Sequence, residues 1–261
     1  LTFKVRKKTD TKFVEIKNLN MKKYLCIAIY PYINGINHEY GIINDYEQIN
    51  IKTNCSDESL KKYNLIGTCI KFGNAKSGHY ISGIMSNGKF RICNDSNCEE
   101  INIDDITKKY PKGRPTMYFY KQSDEMHHEG YVPIGLNNIG NSCYLATLIQ
   151  NLLNIPELFE DKVEDESLYG LLYKLYKNKD KNKETRMTTF RNIRDKLIQS
   201  IGAKQTEQLD SSEILLKLIE LDENFKNKYN KLFTFNQRKD KNELIENYTL
   251  NIVMNKNNLI L

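Results

Sequence analysis

The spacing of apolar and polar residues divides the chain into two halves. In the first half, β-branched and aromatic residues form short runs separated by turn signals, a pattern typical of β-strands. Asn87-Gly88 lies between two of these runs and predicts a tight hairpin. The pattern predicts strands over residues 23–32, 62–73, 78–85, 89–95 and 115–122.

From Leu145 onward the apolar residues follow a helical period. Their spacing of i, i+3, i+4, i+7 and i+8 is that of a half-buried helix, which Pro156 closes. The same period predicts further helices over 167–178, 188–201 and 211–221. A Lys- and Asn-rich, weakly strand-like ending follows them.

The polar segment 123–131 separates these two patterns and is predicted to be a linker. A length of 261 residues fits one large domain or two small ones, and we interpret the chain as one domain over 1–261. The β half covers 1–122 and the α half covers 132–261.

Composition indicates a soluble globular protein. Of 261 residues 28% are charged, and no apolar run approaches the roughly 18 residues of a membrane-spanning helix. The net charge of +6 comes from Lys spread along the chain, so we expect no nucleic-acid or membrane partner. Six cysteines without a CxxC pair favour neither a disulfide framework nor a zinc site. We therefore expect a reducing compartment, cytoplasmic or nuclear, and neither metal nor cofactor.

The most informative cysteine is Cys143, at the start of the first predicted helix. A thiol in a first helical turn faces unpaired N–H groups and the positive end of the helix dipole, and both favour the thiolate. The alternative is a buried structural cysteine, which the residues before it make less favoured. These residues permit a tight turn whose donors could hold an oxyanion: Gly135, Asn137, Asn138, Gly140 and Asn141.

A nucleophilic thiol needs a base and a group that orients the base. His79 stands at the mouth of a predicted strand, directly after a glycine. The predicted hairpin brings the end of the next strand, at Asn94 and Asp95, beside it. Polar stretches contain the other histidines, which we interpret as solvated loop residues: His38, His127 and His128.

Several segments resemble the ubiquitin-specific protease family. GLNNIGNSCYLATLIQNLLNIPELF is similar to the family's cysteine box. YNLIGTCIKFGNAKSGHYISGI, FRICNDS and PTMYFYKQ are similar to its histidine box. EQLDSSEILLKLI resembles the family's Q-Q-D-A-x-E-F-L helix, and KKYLCIAIYPY resembles its P-x-x-L-x-I-x-L-x-R-F strand. Together these motifs cover most of the chain.

The resemblance implies a catalytic role for each matching residue. Cys143 would be the nucleophile, His79 the base and acid, and Asn94 the residue that orients His79. Asn138 would donate a hydrogen bond to the oxyanion. Asp95 is a second candidate for the orienting or oxyanion-supporting role.

The resemblance also implies substrate-binding residues. Asp210 and Glu213 match acidic positions that grip the basic C-terminal tail of ubiquitin, and Gly78 and Tyr80 belong to the G-H-Y segment. The D-S-S-E sequence over 210–213 is equally well explained as a helix capping box. The two interpretations are compatible.

The order of the two boxes is the reverse of the family's, because His79 precedes Cys143. A circular permutation that joins the original termini through 123–131 accounts for this order better than a fragment of two protease units. The expected fold is α+β and papain-like, with a β palm over 20–122, a helical thumb over 132–222, and reduced, metal-free fingers. Closure between chains is the alternative to closure within one chain.

These features favour a deubiquitinating thiol protease that cleaves after the C-terminal glycine of ubiquitin or a ubiquitin-like modifier. Ubiquitin or such a modifier, with its conjugates, is the expected partner of a monomer, and a domain-swapped assembly is the alternative state. One alternative function is a catalytically weak or inactive ubiquitin-binding module. A weaker alternative is a scaffold whose Lys-rich face docks on an acidic partner.

Overall fold

The computed structural model describes side chains in residues 22–29, 48–49, 61–74, 77–123, 131–163, 165–178 and 182–233. Outside these ranges it describes only the backbone of strands. The predicted linker lies outside the described residues except at its two ends, and the predicted loop residues His38, His127 and His128 lie outside them too.

Eleven of the described strands form one sheet, and four more form two short hairpins. The strands, in chain order, are β1 (Thr2–Arg6), β2 (Thr11–Glu15), β3 (Tyr24–Tyr30), β4 (Tyr32–Ile33), β5 (Ile36–Asn37), β6 (Gln48–Lys52), β7 (Leu60–Gly73), β8 (Gly78–Ser86), β9 (Lys89–Asn94), β10 (Asn97–Glu100), β11 (Arg114–Gln122), β12 (Phe235–Asp240), β13 (Glu243–Asn247), β14 (Leu250–Asn255) and β15 (Asn258–Ile260).

The described helices lie between β11 and β12 in the chain, apart from one short helix between β10 and β11. They are α1 (Ile106–Lys109), α2 (Cys143–Leu153), α3 (Leu168–Lys177), α4 (Lys183–Ile201), α5 (Ser211–Leu221) and α6 (Glu223–Phe233). Two 3₁₀ turns accompany them, at Ile103–Asp105 and Pro156–Phe159.

The main path of the large sheet runs in the order β10-β9-β8-β7-β11-β3-β14-β15. Each neighbouring pair is antiparallel except β3 with β14, which is parallel. β1, β2 and β6 attach to the side of this path through β7. The parallel pair joins a strand from the end of the chain to one from its beginning, so both halves contribute to one sheet.

The predicted strands and helices are confirmed in type and approximate position. The five predicted strands are β3, β7, β8, β9 and β11, and the four predicted helices are α2 to α5. The predicted hairpin is confirmed as well, because Ser86 pairs with Lys89 across Asn87 and Gly88, whose φ angles are 53° and 70°. Two positive φ angles are those of a type I′ turn.

Helix α6 was not predicted from the pattern. Charged residues and asparagines occupy many of its positions, so its average hydrophobicity is low. Phe225, Tyr229 and Phe233 recur every four residues and are buried, and Tyr229 stacks on Phe233 with ring centroids 4.3 Å apart. This aromatic stripe packs α6 against the rest of the helical layer and β3, and burial rather than helix propensity explains the element.

Apolar clusters cover both faces of the described sheet. The larger cluster lies between the helices and one face, and includes Leu148 of α2, Leu215 of α5 and Phe119 of β11. The smaller cluster covers the other face, where the segment around Ile106 packs on strand residues such as Ile81. Because both faces are buried, the central strands carry nearly continuous apolar runs.

Helix α2 is buried along its whole length, and amide side chains join it to the sheet through hydrogen bonds. Asn154 Nδ2, just after the helix, donates to the carbonyl oxygens of Ile66 at 2.8 Å and Met85 at 3.1 Å. Asn151 Nδ2 donates to the Thr68 carbonyl oxygen at 3.3 Å. These bonds join the C-terminal end of α2 to the backbones of both β7 and β8. They therefore fix the position of the helix relative to the sheet.

Helix α2 also comes unusually close to β7. A Cβ atom added at Gly67 would lie 2.0 Å from Asn151 Oδ1, so a larger residue at this position of the strand would displace the Asn151 amide.

The five described cysteines, which exclude Cys55, are free thiols. Within the described residues no helix has the length and apolarity needed to cross a membrane, and no group of three His, Cys, Asp or Glu residues is placed to bind a metal.

We expect Asn154→Ala to lower the free energy of unfolding by about 2–4 kcal/mol, because two buried carbonyl oxygens lose their donor. The matched control is Asn178→Ala at the half-buried C-terminal cap of α3, where a change of about 0.5 kcal/mol or less is expected. Urea unfolding measures both. Equal losses in the two variants would contradict the docking role of Asn154.

Candidate active site

Three elements meet at the predicted catalytic residues. Cys143 is the first residue of α2, His79 is the second residue of β8, and Asn94 is the last residue of β9. The β8–β9 hairpin brings the start of one strand beside the end of the other, and the docking of α2 brings the thiol to the same place. The prediction that a cysteine occupies the first turn of this helix is confirmed.

His79 contacts both of its predicted partners. Its Nε2 lies 2.7 Å from Asn94 Oδ1. An amide oxygen can only accept, so Nε2 carries the proton and Nδ1 is the ring nitrogen left for the sulfur. A hydrogen bond with Cys143 and then that with Asn94 raise the pKa of His79 to about 9, against the opposing effect of partial burial. The raised pKa of His79 therefore favours an imidazolium beside the sulfur at neutral pH.

This raised pKa also links the site to stability. Protonation of His79 contributes fully to the stability of the fold below its ordinary pKa of 6.5, and this contribution is lost as the pH rises through about 9.

Asp95 is placed differently from Asn94. It occupies the turn between β9 and β10 with a φ of 50°, and its carbonyl oxygen accepts from the Leu136 N–H at 2.9 Å. Its Oδ1 is buried and has no hydrogen-bond partner among the described residues. Asp95 contributes to the raised pKa of His79 through its charge, and that contribution is smaller than Asn94's. The direct hydrogen bond thus belongs to Asn94, and Asp95 ties the hairpin to the segment before Cys143.

Asn138 organises the loop that precedes Cys143. Its Oδ1 accepts from Gly140 N at 3.1 Å, Ser142 N at 3.2 Å and Ser142 Oγ at 3.3 Å. Gly140 and Asn141 have left-handed backbones, with φ angles of 95° and 44°, which give the loop its tight turn. With Oδ1 fixed inward, the exposed Asn138 side chain keeps its Nδ2 amide as the donor for an incoming group.

The other two predicted loop amides have separate contacts. Asn141 Nδ2 donates to the Thr206 carbonyl oxygen at 2.6 Å, which ties the loop to the segment before α5. The backbone N–H of Asn137 contacts Met187 Sδ at 3.2 Å, and its Oδ1 is buried without a hydrogen-bond partner among the described residues.

Asp210 is the N-cap of α5, as the capping interpretation expects. Its Oδ1 accepts from Ser212 N at 2.8 Å and Ser212 Oγ at 2.5 Å, while its Oδ2 accepts from Tyr80 OH at 2.7 Å. Asp210 and Tyr80 are therefore bound to each other across the two halves. Glu213 lies one turn later with an exposed side chain, although the protein around its carboxylate displaces some water, and this desolvation together with the charge of Asp210 raises its pKa.

Gln208 is a residue of the site that sequence reasoning missed. Its Oε1 accepts from the Gly78 N–H at 2.8 Å, its Nε2 donates to the Gly78 carbonyl oxygen, and Nε2 also lies 3.9 Å from Cys143 Sγ. It stands inside the motif that resembles the family helix, but a neutral amide gives no signal of nucleophile, base or metal ligand. Only its place in that motif could have drawn attention to it.

One of the comparisons with known proteins matches most of this chain. A family model described as ubiquitin carboxyl-terminal hydrolase matches residues 2–120 and 134–258. A search of curated proteins gives no match to this chain.

Solved structures give partial matches. One is the Ubp8-Sgf11-Sgf73-Sus1 SAGA DUB module, with 23% identity over 38% of this chain and 24% of that chain, at a TM-score of 0.29. Another is the SAGA Ubp8/Sgf11/Sus1/Sgf73 DUB module bound to ubiquitin aldehyde, at 20% identity with the same coverage and TM-score. A third is a yeast SAGA DUB module with a mutant Sgf73, at 24% identity, 38% and 23% coverage, and a TM-score of 0.29.

These structural overlaps are short, since they span about a quarter of the matched chains. The family model instead covers nearly the whole chain, including the segments that carry His79, Asn94 and Cys143. The α+β architecture is that expected of the resemblance. The chain therefore belongs to the ubiquitin carboxyl-terminal hydrolase family.

Proposed function

We propose that this chain is a thiol protease that hydrolyses the peptide or isopeptide bond after the C-terminal glycine of ubiquitin or a ubiquitin-like modifier. The observation that carries the proposal is the contact of His79 with both Cys143 and Asn94 in a member of this family. A binding module without turnover would have no need of an imidazole held between a thiol and an amide.

In the proposed first step, the Cys143 sulfur attacks the carbonyl carbon of the terminal glycine. A carbon–sulfur bond forms, and the carbonyl electron pair moves to the oxygen. As the tetrahedral intermediate collapses, the carbon–nitrogen bond breaks and His79 gives its Nδ1 proton to the leaving amine. Asn94 holds the ring in the tautomer and orientation that this transfer needs.

In the second step, water hydrolyses the thioester. Neutral His79 takes one proton from the attacking water, the carbon–sulfur bond breaks with its electron pair on the sulfur, and the released glycine carboxylic acid gives its proton to the solvent. Cys143 leaves as a thiolate beside the protonated imidazole, so the enzyme returns to its starting state.

The oxyanion of each intermediate needs donors near the start of α2. Among the backbone N–H groups of the first helical turn, those of Leu145 and Ala146 donate to the Ser142 carbonyl oxygen, and those of Cys143 and Tyr144 are the proposed oxyanion donors. The Asn138 Nδ2 amide is the proposed side-chain donor, because the three bonds to its Oδ1 orient it. Such donors act most strongly on charge that develops during the reaction.

For substrate binding we propose that Glu213 attracts the basic tail of the modifier. Its exposure leaves it available, whereas Asp210 uses both oxygens within the protein and supports the site by holding Tyr80. The proposed role of Gly78 is to border the path of the tail through its backbone.

We also propose that the catalytic domain is circularly permuted and closes within one chain. Two observations support this: the family model matches separate segments on either side of the predicted linker, and β14 from the second half pairs with β3 from the first. The contact of His79 with Cys143 within a single chain supports a monomer over a domain-swapped assembly.

The proposal is tested with a ubiquitin-based electrophilic probe and a ubiquitin–fluorophore substrate. The intact chain is expected to be labelled at Cys143, as mapped by peptide mass, and to release fluorophore. Cys143→Ala should do neither while still binding ubiquitin, because only the nucleophile is lost. Turnover by Cys143→Ala would end the assignment. Ubiquitin binding without labelling of the intact chain would instead indicate a binding module.

Asn94→Ala is expected to reduce kcat by roughly 10²-fold, because the imidazole loses the bond that orients it. The same variant should lower the pKa of His79 below about 9, since the Asn94 bond contributes to raising it. Asp95→Asn is the control, with an expected loss below roughly tenfold and a smaller fall in that pKa. Fluorophore release and NMR titration of the His79 ring measure the two effects. A larger loss in Asp95→Asn would transfer the orienting role to Asp95.

Glu213→Gln is expected to raise KM roughly fivefold with kcat nearly unchanged, because an exposed charge contributes equally to binding of substrate and transition state. Glu220→Gln, also exposed on α5, is the matched control and should leave both constants as they are. Steady-state kinetics at two salt concentrations provide the check. A fall in kcat alone would contradict a binding role.

A further inference from the structure

The segment between α4 and α5, residues 202–210, lies beside the thiol, where the two halves of the chain meet. Asn141 of the loop before Cys143 donates to the Thr206 carbonyl oxygen, and Arg194 Nη2 of α4 donates to the Gln205 carbonyl oxygen at 3.0 Å. At the end of this segment, Asp210 Oδ2 accepts a hydrogen bond from the Tyr80 hydroxyl of β8. The backbone on both sides of Gln208 is therefore held in place.

The Gln208 side chain is in turn held by a two-point pairing with Gly78. One amide atom accepts from the Gly78 N–H at 2.8 Å, and the other donates to the Gly78 carbonyl oxygen. This is the pairing that a neighbouring strand would make, and it defines which end of the amide is oxygen and which is nitrogen. The Gly78 peptide cannot shift relative to Gln208 without breaking a bond, and His79 is the next residue.

The orientation set by Gly78 decides what faces the sulfur. Because Oε1 is used by the Gly78 N–H, the Nε2 amide is the group turned toward Cys143, at 3.9 Å from Sγ. A donor at this position stabilises a thiolate and gives nothing comparable to a neutral thiol. His79 and Gln208 thus approach the sulfur with N–H groups from two different elements.

We infer that Gln208 is a positioning residue for the nucleophile: it fixes the strand that carries His79 against α2, and its N–H favours the thiolate of Cys143. The inference rests on the proposed function only in taking Cys143 as the nucleophile. A different role fits the same place, in which the amide covers the sulfur and substrate must displace it, and the two roles predict opposite effects of truncation.

The test uses iodoacetamide, a small neutral electrophile that needs no ubiquitin site. Its rate of reaction with Cys143 in the full chain is followed by peptide mass between pH 5 and pH 10 in the intact protein, Gln208→Ala and Gln208→Glu. Gln208→Glu keeps the shape but places an acceptor and a charge opposite both the Gly78 carbonyl oxygen and the sulfur. Gln199→Glu, on the exposed face of α4, is the matched control for the added charge.

The expected result is a roughly tenfold slower reaction of Gln208→Glu near pH 7, with the half-maximal rate moved to higher pH and the plateau at high pH unchanged. Gln208→Ala should show a smaller shift in the same direction, and Gln199→Glu none. Thermal unfolding of each variant confirms that the fold persists.

Superimposable profiles for Gln208→Glu and the intact chain would overturn the inference. So would a faster reaction of Gln208→Ala at every pH, which is the result expected of a cover. The intact chain and its variants could give the expected iodoacetamide rates while the ubiquitin probe fails to label the chain. In that case the inference about Gln208 holds and the proposed substrate is wrong, so the two conclusions are tested separately.

Discussion

The contact between the His79 imidazole and the Cys143 sulfur is the interaction on which the rest of the candidate site depends. The two residues belong to different halves of the chain, so no local sequence preference can bring them together. The helix that begins with Cys143 is set against the sheet by buried amides, of which Asn154 binds carbonyl oxygens of two strands at once. Burial of polar groups with their partners is thus what gives the contact its precision, while the apolar cores supply most of the stability.

The hydrogen bonds of His79 and its burial have opposite effects on its pKa. Partial removal of His79 from water disfavours its charged form, yet its pKa is raised to about 9 because the sulfur and the Asn94 amide together outweigh that cost. Tight turns supply the partners: Asp95, at a positive φ, ends the hairpin that presents Asn94, and Gly140 and Asn141 bend the loop that leads into α2. Each turn stores some backbone strain at a position where it directs a polar group toward the site.

Local features could be predicted from residue preferences, whereas the long-range pairing of His79 with Cys143 rested on the needs of a nucleophilic thiol and on the family resemblance. The Asn87-Gly88 hairpin and the start of a helix at Cys143 follow from residue preferences within a few positions. Residue preferences alone could not show whether Asn94 or Asp95 contacts the imidazole. Neighbouring residues at a strand end point in different directions, and only the turn decides which of them reaches His79. Gln208 escaped notice since its role comes from pairing with Gly78, far away in the chain. Helix α6 was missed because its charged residues conceal a stripe of three aromatic side chains.

The order of the boxes along the chain matters less than the elements that carry them. A contact between the start of a helix and a strand constrains where two chain segments lie, and it places no requirement on which is synthesised first. A chain with its segments in either order must still close its sheet, and here the parallel pairing of β14 with β3 joins the last part of the chain to the first. Because the predicted linker would need only to span the distance between two chain ends, a polar segment such as 123–131 is compatible with this role.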